Sequence, residues 1–262
     1  MILVVCYLVT LFACGIGTIC GMGGGIIIKP VLDATGVMTV STITFLSGCT
    51  VIAMTCWSVG KNLLHHESVI ELKNTTFLAI GAALGGLAGK QIYNVVASMF
   101  PNPDTAGGVQ AFLLFLATLA TFIYTLRKDK IHSRQVESPA ACILIGLLLG
   151  ILGSFLGIGG GPFNVAVLYY FFSMQTKKAT QNSLYIVLFS QAASTLKTVY
   201  FDGVPEFNGL ILIGMIGFGI LGSEIGRRIN KKINEKQATY LFEGAMILIM
   251  GINIYNILKF LT

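Results

Sequence analysis

The sequence predicts an all-α polytopic membrane protein made of two inverted structural repeats, and three observations favour this fold. Hydrophobic residues make up 55% of the chain and charged residues only 11%, whereas a soluble domain carries about 25% charged residues. Several apolar stretches are about 20 residues long, which is enough to span a bilayer as a helix. The motif G-x-G-G-G occurs twice, at 21–25 and 157–161, each time inside an apolar stretch.

Each glycine run is expected to break a membrane helix, because glycine lacks a side chain and readily adopts φ > 0. Within hydrocarbon, non-helical backbone is tolerated only where protein buries it or where it lines a water-filled cavity. Broken helices at corresponding positions of two halves indicate the binding site of a transporter. Close packing between helices is the alternative role for such glycines. We predict a substrate site that includes Gly23, Gly24, Gly25, Gly159, Gly160 and Gly161.

The predicted elements follow the same order in both halves. The first half has a Gly-broken unit and three helices, at 2–36, 40–59, 76–97 and 107–126. A charged stretch beginning at Arg127 follows, and the second half has its own broken unit and three helices, at 139–173, 179–200, 207–225 and 237–258. A basic loop is expected at 227–236. We therefore divide the chain into repeat 1, a charged linker and repeat 2, at 1–126, 127–138 and 139–262.

The repeat is visible without gaps when the chain is shifted by 136 residues. Glycines, a serine and a lysine then coincide in one register. The pairs are Gly17 with Gly153, Gly21 with Gly157, Gly23 to Gly25 with Gly159 to Gly161, Ser47 with Ser183, and Lys61 with Lys197. Self-similarity at a fixed period is the sequence signature of structural repeats.

The distribution of Lys and Arg distinguishes two membrane arrangements. If both broken units cross fully, the eight spans leave 8 basic residues on one side and 9 on the other, which is no bias. If each broken unit is a hairpin that enters and leaves on one face, the counts become 13 and 4, as the positive-inside rule requires. Three crossings per half would then invert repeat 2 relative to repeat 1. Residues 2–20 are long enough to span alone, so full crossings remain the alternative.

A short helix of about 12 residues is predicted directly after each glycine run, beginning at Ile26 and at Pro162. The free N–H groups and the positive dipole end of such a helix favour anions. Pro162 suits a first helical turn, because its missing N–H would have no partner there. Two such ends meeting near the middle of the membrane would form an anion site without a buried lysine.

The glycine motif with Pro30 five residues after Gly25, its second copy, and the stretch K-K-A-T-Q-N-S-L at 177–184 resemble the TauE/SafE family of sulfite-exporter-like permeases. The resemblance covers nearly the whole chain. It implies transport of small sulfur-containing or carboxylated anions, driven by the proton gradient. The second motif departs from the family pattern, because Ala166 stands where proline is expected and Asn182 where threonine is usual. Both changes fall near the predicted site and allow a substrate other than sulfite.

Polar side chains within the apolar helices are the other candidate site residues. Serines of this kind either bond to the carbonyl four residues earlier or contact substrate. The amides either join helices or contact substrate. An acid in the last helix either couples transport to protons or pairs near the interface. The candidates are Ser47 and Ser183, then Asn164, Asn182 and Gln191, and finally Glu243 as the coupling acid.

The function predicted from these features is a secondary transporter of small anions, with a passive channel or pore as the alternative. We expect no enzyme, because neither a His/Cys cluster nor a carboxylate pair is found, and the glycine runs lack the βαβ context of a nucleotide site. We expect no cofactor, no metal and no nucleic-acid partner. The expected partners are a small anionic substrate and the lipid bilayer of a prokaryotic plasma membrane, and a homodimer is left open.

Overall fold

The computed structural model describes residues 2–64, 69–100 and 103–261, and these residues contain helices and no strand. The prediction of an all-α chain is confirmed. The first five helices are α1 (Ile2–Cys20), α2 (Gly25–Thr35), α3 (Val40–Leu64), α4 (Leu72–Ser98) and α5 (Pro103–Arg127). The next five are α6 (Pro139–Phe155), α7 (Pro162–Phe172), α8 (Thr176–Lys197), α9 (Gly209–Lys232) and α10 (Glu235–Leu261). Short helical turns occupy Lys128–Lys130 and Thr198–Asp202.

The order of long and short helices is the same in both halves of the chain. The short helices α2 and α7 each have 11 residues, and each follows one of the two glycine runs. This recurrence agrees with the division at 127–138, which stays a prediction.

Helix α9 extends further than its hydropathy indicates. The predicted basic loop at 227–236 is wrong in its first part, because the helix continues through Lys232. Glu224 accepts hydrogen bonds from Arg227 at 2.9 Å and from Arg228 at 2.8 Å. Pairs of opposite charge three and four residues apart stabilise a helix, so the helix persists where the apolar residues end.

Five helices among the described residues are long and apolar enough to cross a membrane: α1, α3, α5, α9 and α10. Helices α4 and α8 also have the length, with 27 and 22 residues, but contain more polar side chains. The polar residues of α8 are buried inside the protein, and they include Thr180, Asn182, Ser183, Ser190, Gln191 and Ser194. A helix enclosed by other helices does not need an apolar surface, which explains its low hydropathy.

Glycines set the closest helix contacts. A methyl group at Gly81, Gly85 or Gly89 of α4 would collide with the backbone of α6. At the related α1–α9 contact, Gly222 and Gly226 of α9 meet the backbone of α1 in the same way. Small residues spaced four apart allow membrane helices to approach closely. These two interfaces fix α6 against α4 and α1 against α9.

Helices α6 and α7 form a hairpin whose two termini lie together. The backbone N–H of Arg134, just before α6, donates to the carbonyl of Tyr170 near the end of α7 at 2.6 Å. Val136 donates in the same way to Phe171 at 2.9 Å. The segment that enters α6 therefore runs beside the last turn of α7. We call this the basic end of the bundle, since Lys177 and Lys178 lie there at the start of α8.

Helices α1 and α2 form the corresponding hairpin with its termini at the opposite end. Tyr7, near the start of α1, donates to the carbonyl of Leu210 at the start of α9 at 2.8 Å. Lys259, near the end of α10, donates to the carbonyls of Asp33 and Ala34 at the end of α2. Because α9 and α10 are consecutive antiparallel helices, the start of α9 and the end of α10 share one end. The opposite end thus holds both termini of the first hairpin.

Candidate functional site

The two glycine loops have nearly the same backbone. Gly21 and Gly23 have φ of 70° and 72°, and Gly157 and Gly159 have φ of 71° and 69°. Only glycine adopts this left-handed region without strain. In both loops a backbone N–H reaches back five residues, from Met22 to Gly17 at 3.1 Å and from Ile158 to Gly153 at 3.0 Å. The chain therefore makes the same turn twice.

The second loop is one residue longer than the first. Helix α2 begins two residues after Gly23, whereas α7 begins three residues after Gly159. The helix N-caps are Gly24 and Gly161. The gap-free shift of 136 residues thus holds for the turns, but it changes to 137 for the short helices. Gly160 is the additional residue.

The two loops contact each other near the centre of the bundle. A methyl group at Gly25 would lie 3.1 Å from the carbonyl oxygen of Ile158 in the second loop. Val51 of α3 and Val187 of α8, which are related by the same 136-residue shift, both lie against Gly23. Val187 also contacts Gly160. Two apolar side chains therefore hold the two loops together.

Three of the predicted polar residues lie at these loops. Ser47 Oγ is 3.1 Å from a methyl position on Gly25, and Asn164 Nδ2 is 2.9 Å from one on Gly160. The side chain of Gln191 contacts Gly159. Ser47 Oγ and Asn164 Oδ1 are buried and have no hydrogen-bond partner among the described residues. Buried polar atoms are normally hydrogen-bonded, so these two atoms are available to a ligand.

Ser183 and Asn182 are engaged in structural contacts. Ser183 Oγ donates to the carbonyl of Gly21. Asn182 Oδ1 accepts from the backbone N–H of Glu71 and from Thr75, and its Nδ2 donates to the carbonyls of Val69 and Lys178. Asn182 therefore joins α8 to the start of α4.

Glu243 lies away from the glycine loops. It is half-buried on α10 and lines a separate cavity of about 710 Å³ at the basic end, together with Lys128, Tyr169 and Glu235. Within the described ranges, no group of three or more His, Cys, Asp or Glu side chains is arranged to hold a metal ion.

A polar cavity of about 270 Å³ reaches from the basic end toward the first glycine loop. We call it the α9 cavity, because α9 contributes its charged residues. Its inner wall includes Thr180, whose backbone contacts Gly21 of the first loop. The other lining residues are Thr18, Ser58, Asn62, Gln181, Leu184, Arg227, Asn230 and Lys231.

A much narrower polar cavity, of about 10 Å³, lies on the other side of the loops. We call it the α4 cavity, because Lys90 of α4 is its charged residue. Two of its lining residues contact the second loop, Thr44 at Gly157 and Gln191 at Gly159. The rest of its lining is Ser41, Phe45, Ser194, Thr195 and Thr198.

The two cavities occupy equivalent positions in the two halves. A shift of 136 residues converts Thr44 into Thr180, Ser58 into Ser194 and Asn62 into Thr198. The buried cations correspond as well, because Lys90 directly follows Gly89 and Arg227 directly follows Gly226 in the related packing stripes. The glycine loops thus lie between two related polar cavities, each with a buried positive charge.

Near the α4 cavity, Lys197 donates to Asp202 at 2.7 Å just beyond the end of α8. Burial alone would raise the pKa of Asp202, but hydrogen bonds from Lys197 and Asn94 hold it below its usual range.

Sequence reasoning missed one charged pair near the loops. Lys29 and Asp33 of α2 are both buried and their side chains meet at 2.7 Å. The signal was the K-P-x-x-D spacing in an apolar helix, which puts the two charges one turn apart on one face. We had assigned Lys29 only to a membrane side.

Comparison with known proteins identifies the family. The model of the family described as "Sulfite exporter TauE/SafE" matches residues 6–254. This chain belongs to the TauE/SafE family. The resemblance expected from the glycine motifs is therefore confirmed. A curated relative in this family's range of similarity is "Probable membrane transporter protein YunE" of Bacillus subtilis (strain 168), which is 23% identical over 274 residues, covering 95% of this chain and 96% of the relative. No solved structure matches the chain.

Membership of the TauE/SafE family and the apolar helices identify a multi-pass membrane protein. The family and the YunE relative support a membrane transporter, and they are consistent with a protein that is not an enzyme. The glycine loops of this TauE/SafE chain therefore lie in the setting that transporter binding sites occupy.

Proposed function

We propose that this protein is a secondary transporter of small anions such as sulfite, organosulfonates or carboxylates, and that transport is coupled to protons. The anion binds near mid-membrane between the two glycine loops. The observation that carries the proposal is the position of the contacting loops between two equivalent polar cavities. The family name and the YunE relative support transport, and the chemistry of the loops and cavities supports an anion.

The charges around the loops favour an anionic ligand. Helices α2 and α7 begin at Gly25 and Pro162, so each directs its positive dipole end toward the loops. The α9 cavity contains Arg227 and Lys231, and the α4 cavity contains Lys90. Ser47 and Asn164 add hydrogen-bonding groups at the loops. An anion thus meets positive potential on both sides of the site and polar partners within it.

The two hairpins favour the inverted-repeat arrangement over eight full crossings. The contacts of Arg134 and Val136 with α7 support a second hairpin that enters and leaves at the basic end. The contacts of Tyr7 and Lys259 support a first hairpin with both termini at the opposite end. In this arrangement the basic end faces the cytoplasm, as the positive-inside rule requires. The α9 cavity then opens toward the cytoplasm.

The unequal cavities favour alternating access over a permanently open pore. The α9 cavity has about 270 Å³ and the α4 cavity about 10 Å³. Between them, Gly25 packs against Ile158, and Val187 packs against both loops. An anion entering from the basic end would reach the loops and stop. Exchange of the two cavity shapes, which equivalent halves permit, would release it on the other side.

The experiment is uptake by liposomes that contain the purified protein. Labelled sulfite, thiosulfate, sulfoacetate and acetate are supplied separately, with and without an imposed pH gradient. We expect one of these anions to accumulate only when the gradient is present. Uptake that equilibrates regardless of the gradient would instead favour the passive pore, and failure of all four anions to enter would contradict the proposal.

A further inference from the structure

Lys29 and Asp33 form an ion pair inside the membrane part of the protein. Lys29 Nζ lies 2.7 Å from Asp33 Oδ2, and the side chains are only 4% and 5% exposed. Burying a lone charge in a low-dielectric interior is very unfavourable, whereas a pair of opposite charges is tolerated. The pair lies on α2, the short helix that begins at the first glycine loop.

The carboxylate of Asp33 has unused hydrogen-bonding capacity. Its Oδ1 is buried without a partner among the described residues. Two amide oxygens that line the same small cavity, Gln110 Oε1 of α5 and Asn253 Oδ1 of α10, are also buried and unpartnered within this part of the structure. The cavity has about 10 Å³, which is room for about one water molecule. Three acceptors facing a water-sized space form a place where a proton can be received and shared.

The charged and titratable groups around the pair come from several helices. Lys29 is the partner on α2 itself. From α10, Lys259 acts electrostatically on Asp33 and donates to its backbone carbonyl. From α4, Tyr93 interacts electrostatically with Asp33, and Lys90 with Lys29. Asp33 is the acid shared by these interactions.

The lysine of the pair also contacts the second glycine loop. A methyl group at Gly157 would lie 3.0 Å from Lys29 Cε and 3.2 Å from Thr44 Cγ2. Thr44 lines the α4 cavity. The side chain of Lys29 therefore extends from Asp33 along the loop that forms one wall of the proposed anion site.

We propose that Asp33 is the proton-binding residue of the transport cycle and that Lys29 exchanges its partner between Asp33 and the transported anion. This inference rests on the proposed function. A proton binds the carboxylate of Asp33, the ammonium of Lys29 is released, and the anion takes the place of the carboxylate. Lys29 with ionised Asp33 is neutral, and Lys29 with protonated Asp33 and a monovalent anion is also neutral.

Charge balance then enforces the coupling. Binding the anion without the proton would leave a net negative charge in the membrane interior, and binding the proton alone would leave a net positive charge. Either state carries the large cost of an uncompensated buried charge. The proton and a monovalent anion therefore cross together, in the same direction and in equal number. Glu243 has no part in this step.

The test compares gradient-driven uptake with exchange in liposomes. Asp33→Asn imitates the protonated carboxyl group permanently, so we expect it to lose pH-driven accumulation of labelled sulfite or of whichever of the four anions the natural protein accumulates. Exchange of labelled for unlabelled anion across the membrane, which needs no net proton movement, is expected to persist. Glu206→Gln, an acid-to-amide change at an exposed position, serves as the matched control and is expected to keep both activities.

A second variant keeps the test valid if Asp33→Asn does not fold. Lys29→Gln combined with Asp33→Asn removes both charges and leaves no unpaired charge, and we expect it to fold and to lose pH-driven accumulation. Retention of that accumulation by either variant would overturn the inference while leaving the proposed function intact. Loss of accumulation in Glu243→Gln with retention in Asp33→Asn would move the coupling to Glu243. Absence of uptake by the natural protein would overturn both proposals together.

Discussion

Ser183 Oγ donates a hydrogen bond of 2.5 Å to the carbonyl oxygen of Gly21. This bond joins α8 of the second half to the glycine loop of the first half. The carbonyl belongs to a loop residue with positive φ, so it is outside the regular hydrogen bonding of a helix. Ser183 therefore satisfies a buried backbone group that the helix break leaves without its usual partner.

Ser183→Ala removes this bond and leaves the Gly21 carbonyl buried. We expect a loss of about 1–3 kcal/mol in stability, which is the usual cost of an unsatisfied buried group. The measurement is the thermal unfolding midpoint of the purified protein in detergent. Ser47→Ala is the matched control, because Ser47 Oγ has no partner among the described residues. An equal loss of stability in both variants would contradict this interpretation.

Asn182 is expected to act in stability and not in substrate affinity. Its amide makes four hydrogen bonds that join α8 to residues 69–75. Asn182→Ala should lower the unfolding midpoint, with a cost of about 2 kcal/mol or more, since several polar groups lose their partners. The apparent affinity for the transported anion should stay unchanged in the folded fraction. A selective loss of affinity at unchanged stability would return Asn182 to the binding site.

The glycines between α4 and α6 are expected to tolerate no side chain. Gly85→Ala puts a methyl group against the carbonyl of Leu147, so one helix must move away. We expect a loss of about 1–3 kcal/mol, as for other overpacked contacts. Gly217→Ala on α9 is the matched control, because no atom lies within 4 Å of the added methyl group. That variant should be neutral or slightly more stable, since alanine favours a helix over glycine. Thermal unfolding in detergent compares the two, and an equal response would contradict this account of the α4–α6 contact.

The inverted arrangement predicts which loop positions share a membrane face. Single cysteines replace Gln135 before α6, Gln175 after α7 and Val37 after α2, all of which are exposed, in a background without the native cysteines. A membrane-impermeant maleimide is applied to intact cells and to inverted vesicles. We expect positions 135 and 175 to be labelled from the same side, and position 37 from the other. Labelling of 135 and 175 from opposite sides would favour a full crossing by α6 and α7.

The parts of this protein that could be predicted from sequence are those with local signals. Apolar length gave the membrane helices, and the doubled glycine run gave the two breaks. The extra residue at Gly160 was hidden, because three glycines in each copy align equally well without a gap. The α9 and α4 cavities required knowledge of how distant helices pack. Lys29 and Asp33 had a visible spacing, but only the fold brings Lys29 to Gly157 of the other half.

The central claim is that anions pass between the two glycine loops, and the most direct measurement is anion uptake by Gly160→Leu. A side chain at this position would meet Val187 and Asn164, the latter at 2.9 Å from the first added carbon. Gly217→Leu adds the same side chain at an open position on α9. We predict that Gly160→Leu abolishes pH-driven uptake of the transported anion while Gly217→Leu retains it, with both proteins folded by thermal unfolding in detergent. Full uptake by a folded Gly160→Leu protein would contradict a path between the loops.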